Sequence, residues 1–173
     1  MKKLLLALAF ITACIAGANA QRTEITLGYG GFTQMDATDC RDGWRGVNNA
    51  WGAITAGVNY RLTDKLWVGP SYSFSSTGTK GHPRSSIAYH VLLANGRYDY
   101  FRNGIFTLYG HLGVGVIMTY LQPWGADSYN CSYFGVQVSP IGAIARVSRH
   151  VSLYGEVGYG AQGMLQVGVR VAL

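Results

Sequence analysis

The sequence predicts an all-β fold, an eight-stranded antiparallel up-and-down β-barrel that spans a membrane. Three observations predict it. First, the last nine residues alternate strictly: Leu165, Val167, Val169, Val171 and Leu173 stand against Gln166, Gly168, Arg170 and Ala172. A period of two marks a strand with one apolar and one polar face. A strand that stays apolar to its last side chain suits a barrel that closes on its first strand and leaves no edge. Second, such segments recur along the chain, joined by connections that alternate between short and long. Third, their polar faces are small and nearly uncharged, where a barrel standing in water would carry many Lys and Glu.

The N-terminus adds a compartment. Lys2 and Lys3 precede an apolar run from Leu4 to Ile11, and Ala18-Asn19-Ala20 provides a small-x-small cleavage site. Residues 1–20 read as a secretory signal peptide cut before Gln21. The apolar run falls short of the roughly 20 residues a spanning helix needs. Ile11-Thr12-Ala13-Cys14 loosely resembles a lipoprotein processing box, but the residues after Cys14 are not a polar tether. The mature domain is then 21–173, one barrel, with no wall-binding domain expected after the last strand. Losing Lys2 and Lys3 lowers the formal charge from +6 to +4. The remaining basic residues are scattered, which argues against nucleic acid as a partner.

Eight segments fit strands in order: Thr23–Gln34, Trp51–Leu62, Leu66–Ser75, Ile87–Tyr100, Ile105–Tyr120, Tyr133–Val147, Val151–Tyr159 and Gly163–Leu173. Most are near the ~10 residues a tilted strand needs to cross a bilayer. Thr63-Asp64-Lys65, Phe101-Arg102-Asn103-Gly104 and Ser148-Arg149-His150 make tight turns. Met35 to Ala50, Ser76 to Ser86 and Leu121 to Ser132 are longer, and Gly160-Ala161-Gln162 is short. Short turns belong in the periplasm and long loops outside.

Alternation also sorts the faces. The second segment sets Ile54, Ala56, Val58, Tyr60 and Leu62 against Thr55, Gly57, Asn59 and Arg61. The third sets Leu66, Val68, Tyr72 and Phe74 against Gly69, Ser71, Ser73 and Ser75. The fifth sets Phe106, Leu108, Leu112, Val114, Val116, Met118 and Tyr120 against Thr107, Tyr109, His111, Gly113, Gly115 and Thr119. A charge facing lipid costs about 2–4 kcal/mol at mid-depth, so Glu156, Arg61 and Arg170 should point into the lumen. Arg97 joins them only if the fourth strand bulges or the lumen is apolar at one end, because it shares a face with Val91 and Leu93. Glu156 is expected to pair with at least one of Arg61, Arg97 and Arg170. Tyr60, Trp67, Tyr98, Tyr100 and Phe106 lie near the short turns, and Phe32, Trp51, Phe74, Tyr120, Phe134 and Tyr159 near the loops. They suggest two interfacial girdles.

The hairpin Tyr60-Arg61-Leu62-Thr63-Asp64-Lys65-Leu66 is followed by Gly96-Arg97-Tyr98-Asp99-Tyr100-Phe101, Gly110-His111-Leu112-Gly113-Val114-Gly115 and Glu156-Val157-Gly158-Tyr159-Gly160. On these segments the chain resembles the small outer-membrane barrels of the OmpA/OmpX type. It is especially similar to the compact outer-membrane β-barrel domains of Bacteroidetes-like bacteria. The resemblance implies an outer-membrane location, a surrounding of outer-membrane lipid and lipopolysaccharide, and the barrel-assembly machinery as a partner. The family usually ends in Phe or Trp. Here Val169, Val171 and Leu173 form the terminal assembly signal, and Leu173 departs from that pattern.

Chemical motifs are sparse, and no cofactor is expected. Cys40 and Cys131 both fall in predicted outer connections, in an oxidising compartment. They are either one loop-to-loop disulfide or two thiols too far apart to meet. No metal-ligand spacing surrounds them. His150, Ser152 and Glu156 have the composition of lipid A deacylases, but His150 lies in a predicted periplasmic turn, away from an outer-leaflet substrate. A palmitoyltransferase-like barrel would want an amphipathic helix before the first strand. Gly158-Tyr159-Gly160-Ala161-Gln162-Gly163 spells a dinucleotide fingerprint without the helix that motif requires. His90 and His111 read as barrel-wall residues. Asp36, Asp39, Arg41, Asp42 and Arg45 read as a solvated loop, the alternative being a cation or surface-partner site. The leading functional expectation is a monomeric anchor that displays loops to cell-surface or host partners. The alternatives are a narrow porin-like channel, with Gly57, Gly69, Gly113, Gly115 and Gly168 leaving water paths, and a lipid A-modifying barrel enzyme.

Overall fold

The computed structural model describes residues 23–39, 51–79, 82–122 and 129–173. Cleavage before Gln21, Cys14 and Cys40 fall outside these residues. The strands are β1 (Thr23–Gly31), β2 (Ala53–Arg61), β3 (Leu66–Thr79), β4 (His82–Asn103), β5 (Phe106–Gln122), β6 (Tyr129–Arg146), β7 (Val151–Gly160) and β8 (Leu165–Ala172). They form a closed barrel in sequence order, each antiparallel to its neighbours. β1 closes on β8 from Glu24↔Ala172 to Gly31↔Leu165. Leu173 extends the seam by donating its amide to the Thr23 carbonyl at 3.0 Å. Val169 and Val171 lie opposite Leu27 and Ile25 on the outward face.

Outward residues are apolar along the wall: Leu27 is 59% exposed, Leu112 61% and Val157 58%, whereas inward Glu156 is 3% exposed. In a bilayer this surface faces hydrocarbon. The tight turns fall where their residues predict. Leu62 and Thr63 both donate backbone amides to the Leu66 carbonyl, and Val147 donates to that of Val151.

Three features differ from the sequence reading, and a fourth decides between two alternatives it left open. The strands on the loop side run further: β3 and β4 continue to Thr79 and from His82, so most of the expected loop from Ser76 to Ser86 is a hairpin. From Ser75 to Thr79 the chain runs Ser-Ser-Thr-Gly-Thr, small and without apolar alternation, while backbone pairing continues. The stretch after β1 holds a helix, α1 (Gln34–Asp39), too short to show helical periodicity. Its start is a capping box: Asp36 donates its amide to Thr33 Oγ1 at 3.2 Å, and the Asp36 carboxylate accepts from the Thr33 amide at 2.8 Å. Asp36 is therefore buried and committed to the cap rather than part of a solvated loop. Trp67 points into the lumen, 8% exposed, rather than joining a girdle.

The fourth feature concerns β4. Its register with β3 is continuous from Tyr98 to Ser86, and its irregularity with β5 comes only at Asp99/Phe101. Arg97 thus shares the inward face with Val91 and Leu93 without a bulge between them, and the lumen is apolar at its loop end. There Ile87, Tyr89, Val91, Leu93 and Ile117 pack with Ala53, Ala161 and Met35 of α1. β6 also outgrows its neighbour. Its last pairing with β7 is Gln137↔Gly160, leaving 129–136 beyond it. The Gln34 side-chain amide covers part of this edge, donating to the Phe134 carbonyl at 3.4 Å and accepting from the Val136 amide at 3.2 Å.

Candidate functional site

The turn-side half of the lumen holds a charged network built by alternation. Glu24 of β1, Arg97 and Asp99 of β4, Tyr109 and His111 of β5, Tyr154 and Glu156 of β7 and Arg170 of β8 all take inward positions. Arg97 Nη1 donates to Glu24 Oε1 at 2.6 Å and its Nε to Asp99 Oδ1 at 3.1 Å. Arg170 Nη1 reaches the same Glu24 oxygen at 3.4 Å. Asp99 also accepts from Trp67 Nε1 at 3.1 Å and from Arg102 Nη2 at 2.7 Å. Buried charges are tolerable when paired and hydrogen-bonded in this way.

Aromatic rings fill the space between the cations. The Arg97 guanidinium lies 4.5 Å from the Trp67 ring centroid, and that of Arg170 lies 4.6 Å from Tyr109 and 4.3 Å from Tyr154. Cation–π attraction is strongest in such desolvated settings. Glycines make the room. A Cβ at Gly142 would collide with the Tyr109 ring, and one at Gly168 would lie 2.6 Å from Tyr154 Cε1. The glycines expected to open water paths instead admit side chains: a Cβ at Gly113 would sit 2.6 Å from Asn95 Oδ1, and at Gly57 2.8 Å from Thr26 Oγ1.

Glu156 lies inside, but its partners differ from the expected arginines. Its carboxylate accepts from Tyr109 Oη at 2.8 Å and Ser139 Oγ at 3.1 Å, and meets His111 Nδ1 at 3.0 Å. Arg170 is linked through Tyr109, donating Nη2 to its hydroxyl at 2.8 Å. The reason is supply: Glu24, nearer the turn-side mouth, already takes Arg97 and Arg170. Arg61 stands apart at the turn-side mouth, 5.7 Å from the Trp67 ring centroid. His111 is more than wall; its Nε2 meets Asn95 Oδ1 at 3.0 Å. Glu24, Asp99, Tyr109, His111 and Tyr154 are the residues the sequence reading did not place in the network. Glu24 was accessible to the same argument, since Ile25, Leu27 and Tyr29 alternate beside it.

The space left is small. A cavity of about 40 Å³ lies among Asn59, Ser71, Asn95, Gln162 and Gln166, room for a few waters. Among the described residues no group of three His, Cys, Asp or Glu is placed to hold a metal. Cys131 is exposed on β6 and bridged to no described residue, while Cys40 lies outside the described residues.

A closed eight-stranded barrel, apolar outside and packed with paired charges inside, defines an integral barrel of the bacterial outer membrane. The chain belongs to the outer membrane protein β-barrel domain family, whose model matches residues 4–163. Its fold is similar to that of neisserial surface protein A, at 14% identity and a TM-score of 0.60, covering 91% of this chain and 99% of that one. It is also similar to the N-terminal β-barrel domain of Pseudomonas aeruginosa OprF, at 14% identity and a TM-score of 0.52, covering 87% of this chain and 96% of that one. No curated protein matches the sequence.

Proposed function

We propose that residues 21–173, freed of a signal peptide spanning 1–20, act as a monomeric outer-membrane anchor. Its outer connections would meet cell-surface or host partners, with lipopolysaccharide and membrane lipid around the wall and the barrel-assembly machinery inserting it. The observation that carries this reading is the filled lumen. Tyr109, Tyr154, Arg97 and Arg170 block the turn-side half, and the Met35 cluster blocks the loop-side half. A barrel that cannot pass solute offers its rigidity and its rim instead.

The enzyme reading finds little support. No hydrogen bond joins His150, Ser152 and Glu156 among the described residues: His150 Nδ1 meets the Ala172 carbonyl at 3.2 Å, and the Glu156 carboxylate is engaged by Tyr109, His111 and Ser139. An activated serine needs its base within hydrogen-bond reach. Two measurements test the anchor. Planar-bilayer recording should give no discrete conductance steps, and regular steps would replace the anchor by the channel. Cells expressing the protein should adhere to host-cell monolayers or lipopolysaccharide-coated beads, and deletion of residues 42–48 or 124–127 should reduce adhesion. Adhesion unchanged by both deletions would overturn the surface-partner role.

A further inference from the structure

We infer that the turn-side mouth of the barrel is a binding site for a phosphoryl oxyanion. The mouth is a cup of about 200 Å³. Glu24 of β1, Arg61 of β2, Trp67 of β3, Asp99 of β4, Arg146 of β6 and Ser152 of β7 contribute to its lining, and the β6–β7 turn adds Arg149. Five arginines line it (Arg61, Arg97, Arg102, Arg146 and Arg149) against two carboxylates, Glu24 and Asp99.

Both carboxylates are already engaged. Glu24 is shared by Arg97 and Arg170, and Asp99 by Arg97 and Arg102. Arg61, Arg146 and Arg149 make no ion pair among the described residues. The Leu173 carboxylate, next to Ala172 of the lining, adds one negative charge at this end against these three arginines. Residues 1–22 contain no Asp or Glu. Asp64 sits in the exposed β2–β3 turn, outside the cup. Guanidinium charge without an ion pair among the described residues, half-buried at Arg61 and exposed at Arg146 and Arg149, gathers at a concave mouth and favours an anion from outside the chain.

Geometry selects its class. β2 and β6 stand on opposite sides of an eight-stranded ring, so Arg61 faces Arg146 and Arg149 across the mouth. A carboxylate offers two oxygens in one plane and suits a single guanidinium fork. A phosphoryl group offers oxygens in several directions and can accept from opposite walls at once. Two sources share this chemistry: the headgroup of an inner-leaflet phospholipid and a soluble phosphate ester of the periplasm.

Pyrophosphate is a suitable probe. Calorimetric titration of the barrel, refolded in zwitterionic detergent at low ionic strength, should show binding. The triple variant Arg61→Gln/Arg146→Gln/Arg149→Gln should bind at least about tenfold more weakly. Lys65→Gln removes the same charge at the same end but outside the cup, and should stay within about twofold. All are expected to migrate as folded barrels in unheated gels. Arg149→Gln alone, in an exposed turn, should weaken binding by about threefold whatever the triple variant's folding. No pyrophosphate binding by the wild-type protein, or equal losses from Lys65→Gln and Arg149→Gln, overturns the site. Nanodiscs then separate the sources: loss of binding when phosphatidylglycerol is included assigns the site to a headgroup, and retention assigns it to a soluble anion.

Discussion

Glu24 and Arg97 are 73 positions apart and meet at 2.6 Å in the lumen. Glu24 holds two buried guanidiniums, so Glu24→Gln leaves Arg170 without a carboxylate partner among the described residues and Arg97 with Asp99 alone. Breaking a buried pair costs about 3–5 kcal/mol. The urea midpoint of folding in detergent should fall accordingly, while Asp64→Asn in an exposed turn should barely move it. Equal shifts would mean that water reaches Glu24. Glu156→Gln should cost less, roughly 1.5–3 kcal/mol, because its partners are Tyr109, Ser139 and His111 rather than an arginine. A larger loss than from Glu24→Gln would reverse that ranking. The inward direction of Glu156 and Arg170 is legible from alternation in the last two strands. The identity of their partners is not. Contacts across a barrel depend on the stagger of every strand pair between them, and bulges such as Val138/Ile141 change that stagger without a clear sequence signal.

Among the elements, the faces of β2, β3 and β5 are legible because lipid and lumen impose opposite chemistry on successive residues. Strand ends are not, because beyond the bilayer both faces meet water. α1 escapes notice for another reason: six residues span too few turns to show a period. Its capping box predicts a local effect. Thr33→Ala should cost about 1 kcal/mol and speed amide exchange over residues 34–39, leaving the amides of β5 unchanged. Uniform acceleration would show that α1 and the wall open together. Glycine placement in the strands gives a second contrast. Gly142→Ala pushes a methyl into the Tyr109 ring, whereas a methyl at Gly96 meets nothing within 4 Å. The first should destabilise by about 1–3 kcal/mol and the second should be nearly silent in the same urea titration. Matching effects would mean that the Tyr109 ring has room to move aside.

For the whole molecule, closure of β1 on β8 removes every edge through the membrane. The folded barrel should therefore resist SDS until heated, giving a mobility shift between unheated and boiled samples. A monomer soluble without detergent would contradict the lipid-facing wall. Eight strands in sequence order were legible because the tight turns are explicit in sequence; the uneven height of the wall was not. Segment 129–136 of β6 rises past the end of β7 by roughly 20 Å, at about 3.3 Å per residue and a tilt near 45°. Among the described residues the outer lip is consequently a step rather than a level ring, with Gln34 of α1 bonded to the foot of its riser. A broad, flat body descending on the membrane would strike the tall side first and come to rest leaning, with a sheltered ledge beneath it over β7 and β8. A slender chain could lie along that ledge.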